Sequence, residues 1–211
     1  MTPTLAPPAR RLEPADIGWA KELLAAASTH HPVLDYCCTG PTAPAQRAWL
    51  LEQVLRYGLR HGRVYTNANS TALAVWLGPG YPAITWWQVL RAGLLPAVLW
   101  RFPWAGVQRL RHLLGSTAWL RRQTVAGNGH FYLLALAVRP GSRGHGEGRR
   151  LLQATLAAMQ ATQTACYFDT QLPDQLPFFQ RLGFQLMGQA PMGSHSSGPT
   201  TWGLLRSGRA A

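Results

Sequence analysis

Residues Phe131–Leu152, FYLLALAVRPGSRGHGEGRRLL, pass from an unbroken apolar run through Arg139 and Pro140 into closely spaced glycines and then a helical pattern. The run from Phe131 to Val138 is too short to span a bilayer and fits a strand buried on both faces. It ends at Arg139-Pro140, because Pro140 disfavours helical backbone at the residue before it. Gly141, Gly144, Gly146 and Gly148 follow, and glycine allows backbone conformations and close approaches that a Cβ resists. From Arg149 onward, Leu151, Leu152, Leu156 and Met159 recur at helical spacing, so the glycines fall at a helix N-terminus. The unpaired N–H groups and the dipole of such an end bind anions, and the segment reads as a phosphate cradle.

Spacing separates the phosphate motifs that share this logic. No Lys-Ser or Lys-Thr pair closes the loop, which excludes the Walker form, and the glycines run G-x-G-x-G, an imperfect dinucleotide pattern. Taken alone, they also suit an ordinary strand-to-helix turn. Arg143-x-x-Gly146-x-Gly148 between a strand and a helix resembles the acyl-CoA pyrophosphate loop of the GNAT superfamily of N-acetyltransferases.

A second stretch extends the resemblance. Cys166–Phe184, CYFDTQLPDQLPFFQRLGF, reads as a short strand, a Pro-bounded loop, a short helix and a Gly183 terminator. It resembles the family's next strand, loop and helix with their Phe-Tyr-x-x-x-Gly-Phe signature. With Thr200–Arg206 as a closing strand, the chain from His130 onward is similar to puromycin N-acetyltransferase and its bacterial and fungal relatives. Before His130 the resemblance rests on Ala74-Val75-Trp76 ahead of Gly78-Pro79-Gly80, and on the His31-Pro32 turn.

This resemblance implies an α/β fold of the GNAT type: a mixed, twisted β-sheet with splayed central parallel strands, flanked by helices. It implies acetyl-CoA as co-substrate. Main-chain groups of Leu136, Ala137 and Val138 would hold the pantetheine arm like a strand partner, and one of their N–H groups would serve the oxyanion. The N–H groups of Arg143, Gly144, His145, Gly146, Glu147 and Gly148 would wrap the pyrophosphate, with Arg149 or Arg150 adding charge and Gln175 and Phe179 beside the cofactor. At Phe179 the family has a tyrosine that protonates the leaving thiolate, and phenylalanine cannot donate a proton. The family's asparagine aligns with Gln175, and the glutamate of the puromycin-type enzymes aligns with Asp169.

Acetyl transfer to an amine needs a held thioester, an uncharged amine and stabilisation of the developing oxyanion. Asp169 and then His130 are the candidates to take the amine's proton, and Tyr132, Tyr167 or water the replacement proton donor. Each has an ordinary alternative: Asp169 capping a turn, His130 as a rim histidine beside Trp119. Two readings follow. One is an acetyl-CoA-dependent N-acetyltransferase acting on a small-molecule amine by direct attack in a ternary complex. The other, motivated by Phe179 and Gln175, is a CoA-binding GNAT-like protein with little or no transferase activity, in a sensor or regulatory role.

The 211 residues suit one domain, 1–211, with an acceptor-side half over 10–128 and an acetyl-CoA half over 129–206. The net charge of +12 arises from 20 basic and 8 acidic residues, with Lys21 the single lysine. The arginines are scattered without a nucleic-acid-binding motif, so no specific nucleic acid is expected. The seven histidines and three cysteines show no metal-ligand spacing, so no metal is expected. An odd cysteine count without a pairing framework points to a reduced, cytoplasmic setting and a packed Cys166 thiol. WWQVLRAGLLPAVLWRFPW, Trp86–Trp104, is interrupted by Arg91, Pro96, Arg101 and Pro103. It reads as a helical insertion covering the substrate cleft before the central strand, and membrane association is not expected. The aromatic residues Trp76, Trp86, Trp87, Trp100, Trp104 and Trp119 either line an acceptor pocket or pack as core. The remaining pattern gives a strand at Arg10–Leu12, helices over 15–28 and 46–61, and a hairpin turning at Asn67-Ala68-Asn69-Ser70. Further helices are expected over 85–100 and 105–120. A monomer or homodimer is expected.

Overall fold

The computed structural model describes residues 9–80, 84–125, 129–160, 162–193 and 198–208. The apolar run becomes β4 (His130–Val138), inside a seven-stranded sheet ordered β1-β2-β3-β4-β5-β7-β6. Its partners are β1 (Arg10–Arg11), β2 (Gly62–Thr66), β3 (Ala72–Leu77), β5 (Ala165–Thr170), β6 (Gln185–Pro191) and β7 (Thr200–Arg206). β4 and β5 pair in parallel and every other neighbouring pair is antiparallel. A parallel pair requires a crossover, which α7 (Glu147–Gln160) supplies.

Helices on both faces explain why the central strands lack polar alternation. On one face α7 sets Leu151, Leu152, Leu156 and Met159 against Ala72, Ala74 and Leu133. On the other, α1 (Ile17–Ala27) and α3 (Ala43–His61) set Leu23, Leu24, Leu51 and Leu55 against Leu73, Val75 and Ala137. All six residues of β3 are buried as a result. Burial of each such leucine side chain contributes about 1.5–3 kcal/mol. The β2–β3 hairpin turns where expected, with Asn67 Oδ1 accepting from the N–H groups of Thr71 and Ala72.

Several helices depart from the sequence reading, each for a local reason. The helix expected over 85–100 is two: α4 (Trp86–Arg91) and α5 (Leu95–Arg101). Gly93, at φ +67°, carries the chain out of the first, and Pro96 opens the second, where its missing N–H costs nothing. The next helix, α6, runs Trp104–Val125 and continues past Leu120, burying Arg121. His31-Pro32 stops α1 as expected and also starts a short α2 (Pro32–Cys37). The crossover helix begins at Glu147, ahead of Arg149, and the last helix, α8, is Leu176–Gln180. Most of the two chain ends, and His195, lie outside the described residues.

Candidate active site

β4 and β5 are paired only from His130↔Ala165 to Leu133↔Phe168. Beyond that point β4 stays with β3, and β5 with β7. A bulge accompanies the parting: Val75 pairs with Ala135 and Trp76 with Leu133, leaving Leu134 without a partner on β3. Such an extra residue bends its strand and disrupts the local ladder. The wedge opens into a cavity of about 820 Å³ bounded by the free edge of β4 and the segment from Asp169 to Leu172. Its far wall is built from Leu113, Leu114 and Thr117 of α6, with His30 and His31 at the α1–α2 corner.

The glycine loop closes one end of this cavity. After a single 3₁₀ turn at Pro140–Ser142, Gly144 (φ +79°) and Gly146 (φ +78°) adopt left-handed backbone that side chains resist. Gly148 lets α7 approach β4: a Cβ there would stand 2.9 Å from Val138 Cγ2. The N–H groups of Gly144 to Arg149 meet no backbone acceptor among the described residues, so the loop presents donors at a helix N-terminus. Neighbouring contacts hold it in place. Arg143 Nη2 donates to Ala27 O at 2.7 Å, Arg150 Nη2 to Glu147 Oε1 at 2.6 Å, and Asn67 Nδ2 to Glu147 Oε2 at 2.7 Å. His145 Nδ1 lies 2.9 Å from Arg143 O, and Arg149 is exposed at the mouth.

At the other end of the wedge sits Asp169, one residue past the last β4–β5 pair. Its carboxyl is enclosed by protein yet opens onto the cavity. Tyr132 Oη donates to Asp169 Oδ2 at 3.0 Å. Burial pushes the Asp169 carboxyl up to about 6, against the opposing pull of the Tyr132 hydrogen bond and the Arg121 guanidinium. Burial, with the charge of Asp169, also holds the Tyr132 phenol above its ordinary range. Tyr167 pairs in register with Tyr132, the two rings 5.5 Å apart, and its buried hydroxyl lies near Asp169 without closing a well-formed hydrogen bond. Arg121 Cζ stands 5.4 Å from the Tyr132 ring centroid, a cation–π contact. Burial lowers the His31 pKa, so this imidazole stays neutral near pH 7.

A parted parallel pair beside a glycine-rich helix start is the arrangement that the sequence resemblance implied. Residues 110–186 match the family model described as "Acetyltransferase (GNAT) domain". That match runs from within α6 to the start of β6. Among solved structures, it is similar to "histone acetyltransferase HPA2 and related acetyltransferase" of Corynebacterium glutamicum (TM-score 0.63, 18% identity, 98% of each chain). It is also similar to a Drosophila melanogaster polyamine N-acetyltransferase (TM-score 0.61, 18% identity, 94% of this chain and 98% of that one). Arylalkylamine N-acetyltransferase 2 of Aedes aegypti aligns with TM-score 0.62 and 12% identity over 95% of this chain and 98% of that one. These likenesses establish the fold: a mixed, twisted sheet of the GNAT type flanked by helices, with α4, α5 and α6 preceding β4. The family model matched over 110–186 is one of acetyltransferases. The matches lend no support to the narrower resemblance to puromycin N-acetyltransferase.

Within this fold the cofactor-side residues of the sequence reading gather at the wedge, with one exception in detail. Leu136 and Val138 line the cavity, whereas the Ala137 side chain is buried on the opposite face under α1 and α3. Gln175 lines the cavity with its Oε1 engaged by Thr170 Oγ1 at 2.8 Å. Phe179 reaches the cavity from an aromatic cluster, stacked on Phe168 at 4.0 Å and edge-on to Phe178 and Phe184. Among the catalytic candidates, Asp169 and Tyr132 come together and His130 does not. It stands at the far end of β4 opposite Ala165, its ring 6.0 Å from Tyr167, away from the cavity lining.

The insertion walls the cavity through α6 and Ile84, while α4 and α5 do not reach it. None of the six tryptophans weighed as pocket lining is part of it: Trp76 is core, and Trp87, Trp100 and Trp104 are exposed. Burial pushes the Cys166 thiol up to about 11, which keeps it protonated and unreactive. No described helix is long and apolar enough to cross a membrane. The bulge at Leu134, the inward Arg121 and the cavity-lining His31 had no distinct signal in the sequence, apart from the His31-Pro32 turn.

Proposed function

We propose that this chain transfers the acetyl group of acetyl-CoA to the amine of a small molecule, by direct attack in a ternary complex and without an acetyl-enzyme. The observation that carries the reading is the position of Asp169, with Tyr132 bonded to it, at the point where β4 and β5 part.

The wedge suits an acyl-CoA. Gly148 leaves room where a Cβ would collide with Val138, the loop offers unengaged N–H donors for a pyrophosphate, and the edge of β4 beyond Leu133 faces no strand. When bound, the thioester supplies an activated acetyl group. The N–H groups of 144–149 and the Arg149 side chain hold the phosphates, and the free edge of β4 from Leu134 to Val138 aligns the pantetheine and offers an N–H to the developing oxyanion. Asp169, ionised above about pH 6, takes the proton of the attacking amine. As the C–N bond forms and the C–S bond breaks, Tyr132 passes its proton to the departing sulfur and regains one from the protonated Asp169. Residues 10–128 then shape the acceptor side and 129–206 the cofactor side.

The second reading, a CoA-binding protein without transfer, is favoured by one observation. The position of the family's tyrosine is Phe179, packed in an aromatic cluster with no hydroxyl to give. Thiol release from acetyl-CoA across a panel of amines, alongside calorimetric CoA binding, separates the two. Amine-dependent release supports transfer; tight CoA binding with no amine-dependent release overturns it.

A further inference from the structure

Resting on the transferase reading, we infer that the acceptor is a primary monoamine with an apolar aliphatic or aryl body, and that diamines and polyamines are selected against. Among the described residues that line the cavity, Asp169 is the single carboxylate. It accounts for one ammonium, the one that must lose its proton to react. A second ammonium on the same molecule needs a second carboxylate to offset its desolvation in full.

The rest of the lining offers none: its remaining side-chain acceptors are neutral, among them Gln171 Oε1 and the buried His31 Nδ1. Ile84, Leu113 and Leu114 are apolar, as are Leu51 and Val54 of α3 beside them. Thr117 is turned back on its own helix, its Oγ1 hydrogen donating to Leu113 O at 2.9 Å with Leu114 O at 3.4 Å. Gln171 Nε2 is engaged with Thr201 Oγ1 at 3.3 Å. The one permanently charged side chain in the lining is a cation, Arg143. An ammonium forced against the leucines is desolvated without compensation, whereas a hydrocarbon or aromatic body gains there from burial. The long-range field points the same way, because a chain of net charge +12 repels a polycation more than a monocation. The fold-level likeness to a polyamine acetyltransferase therefore does not extend to its acceptor.

The test compares thiol-release kinetics for 2-phenylethylamine, tryptamine and hexylamine with those for putrescine, spermidine and agmatine, with acetyl-CoA binding followed calorimetrically on the same preparation. The expected result is a kcat/KM for the monoamines roughly tenfold or more above that for the diamines. In Thr117→Asp, a carboxylate added across from Asp169 shifts the ratio toward putrescine by about tenfold, and Thr117→Asn leaves it unchanged. Equal or better turnover of putrescine or spermidine by the unmodified chain overturns this inference and leaves the transferase reading standing. If acetyl-CoA binds and no amine is turned over, the transferase reading fails and the inference falls with it.

Discussion

Tyr132 and Asp169, 37 residues apart in the chain, are joined by a 3.0 Å hydrogen bond at the point where β4 and β5 part. The parallel register sets this up. Tyr132 pairs with Tyr167, so the residue two further along β5 lies beside the Tyr132 hydroxyl on the same sheet face, facing the cavity. A buried carboxyl with its pKa pushed up to about 6 is a better base toward an ammonium near neutrality than an exposed aspartate, and it is still mostly ionised at pH 7.

The first prediction concerns pH. Because Asp169 must be ionised to accept the proton, kcat/KM rises with pH through about 6. The Tyr132 hydrogen bond pulls the Asp169 pKa down, so Tyr132→Phe moves this limb to higher pH. A limb that stays in place in Tyr132→Phe contradicts the coupling between the two residues.

Asp169 is also a liability for stability. Its folded-state pKa is raised from 3.8 to about 6, so its contribution is favourable below the unfolded value and is lost as pH rises through about 6. Asp169→Asn is therefore expected to raise the melting temperature at pH 7.5, by an amount equivalent to roughly 1–2 kcal/mol, with the gain shrinking by pH 4. Melting curves across that range check the sign; a gain that does not vary with pH contradicts the burial argument.

The loop makes a separate claim. Gly148→Ala pushes a Cβ toward Val138 Cγ2, on a stiff β-branched side chain. The expected loss is about 1–3 kcal/mol, divided between folding stability and CoA affinity. Calorimetry with CoA and a melting curve on the same variant measure both; wild-type values for each would show that α7 does not need that close approach.

Phe179→Tyr tests the proton donor. Phe179 is 1% exposed within its aromatic cluster, so a hydroxyl there must reach the cavity or be buried without a partner. With Tyr132 serving the departing sulfur, turnover stays level or falls and stability drops by about 1–2 kcal/mol. A tenfold rise in kcat would show that proton supply limits this enzyme and that Tyr132 does not provide it.

Much of the glycine loop and its flanking strand and helix was legible in the sequence because it is local. Between Phe131 and Leu152 the apolar period changes from strand to helix across four glycines, which fixes the strand, the turn and the helix start, while a phosphate cradle and an ordinary turn share that pattern. The acceptor side was less so, because its parts meet only through tertiary register. Asp169 reads equally well as a turn cap until β5 is aligned with β4. His130 looked as suitable a base as any histidine near β4, yet four residues of extended chain place it at the wrong end of the strand. Arg121 near a presumed helix end reads as a solvated charge; it turns inward because α6 continues to Val125. The bulge at Leu134 is invisible inside an unbroken apolar run. The split between α4 and α5 rests on Gly93, which helical periodicity spans without interruption.

The most direct test of the account is amine-dependent thiol release by the wild-type protein and Asp169→Asn, read against CoA affinity for each. The account predicts release by the wild type, a loss in Asp169→Asn of about 10²–10⁴ in kcat/KM, and CoA binding unchanged within a few-fold. Wild-type rates in Asp169→Asn, with CoA bound equally well, would contradict the assignment of Asp169 as the base at the wedge.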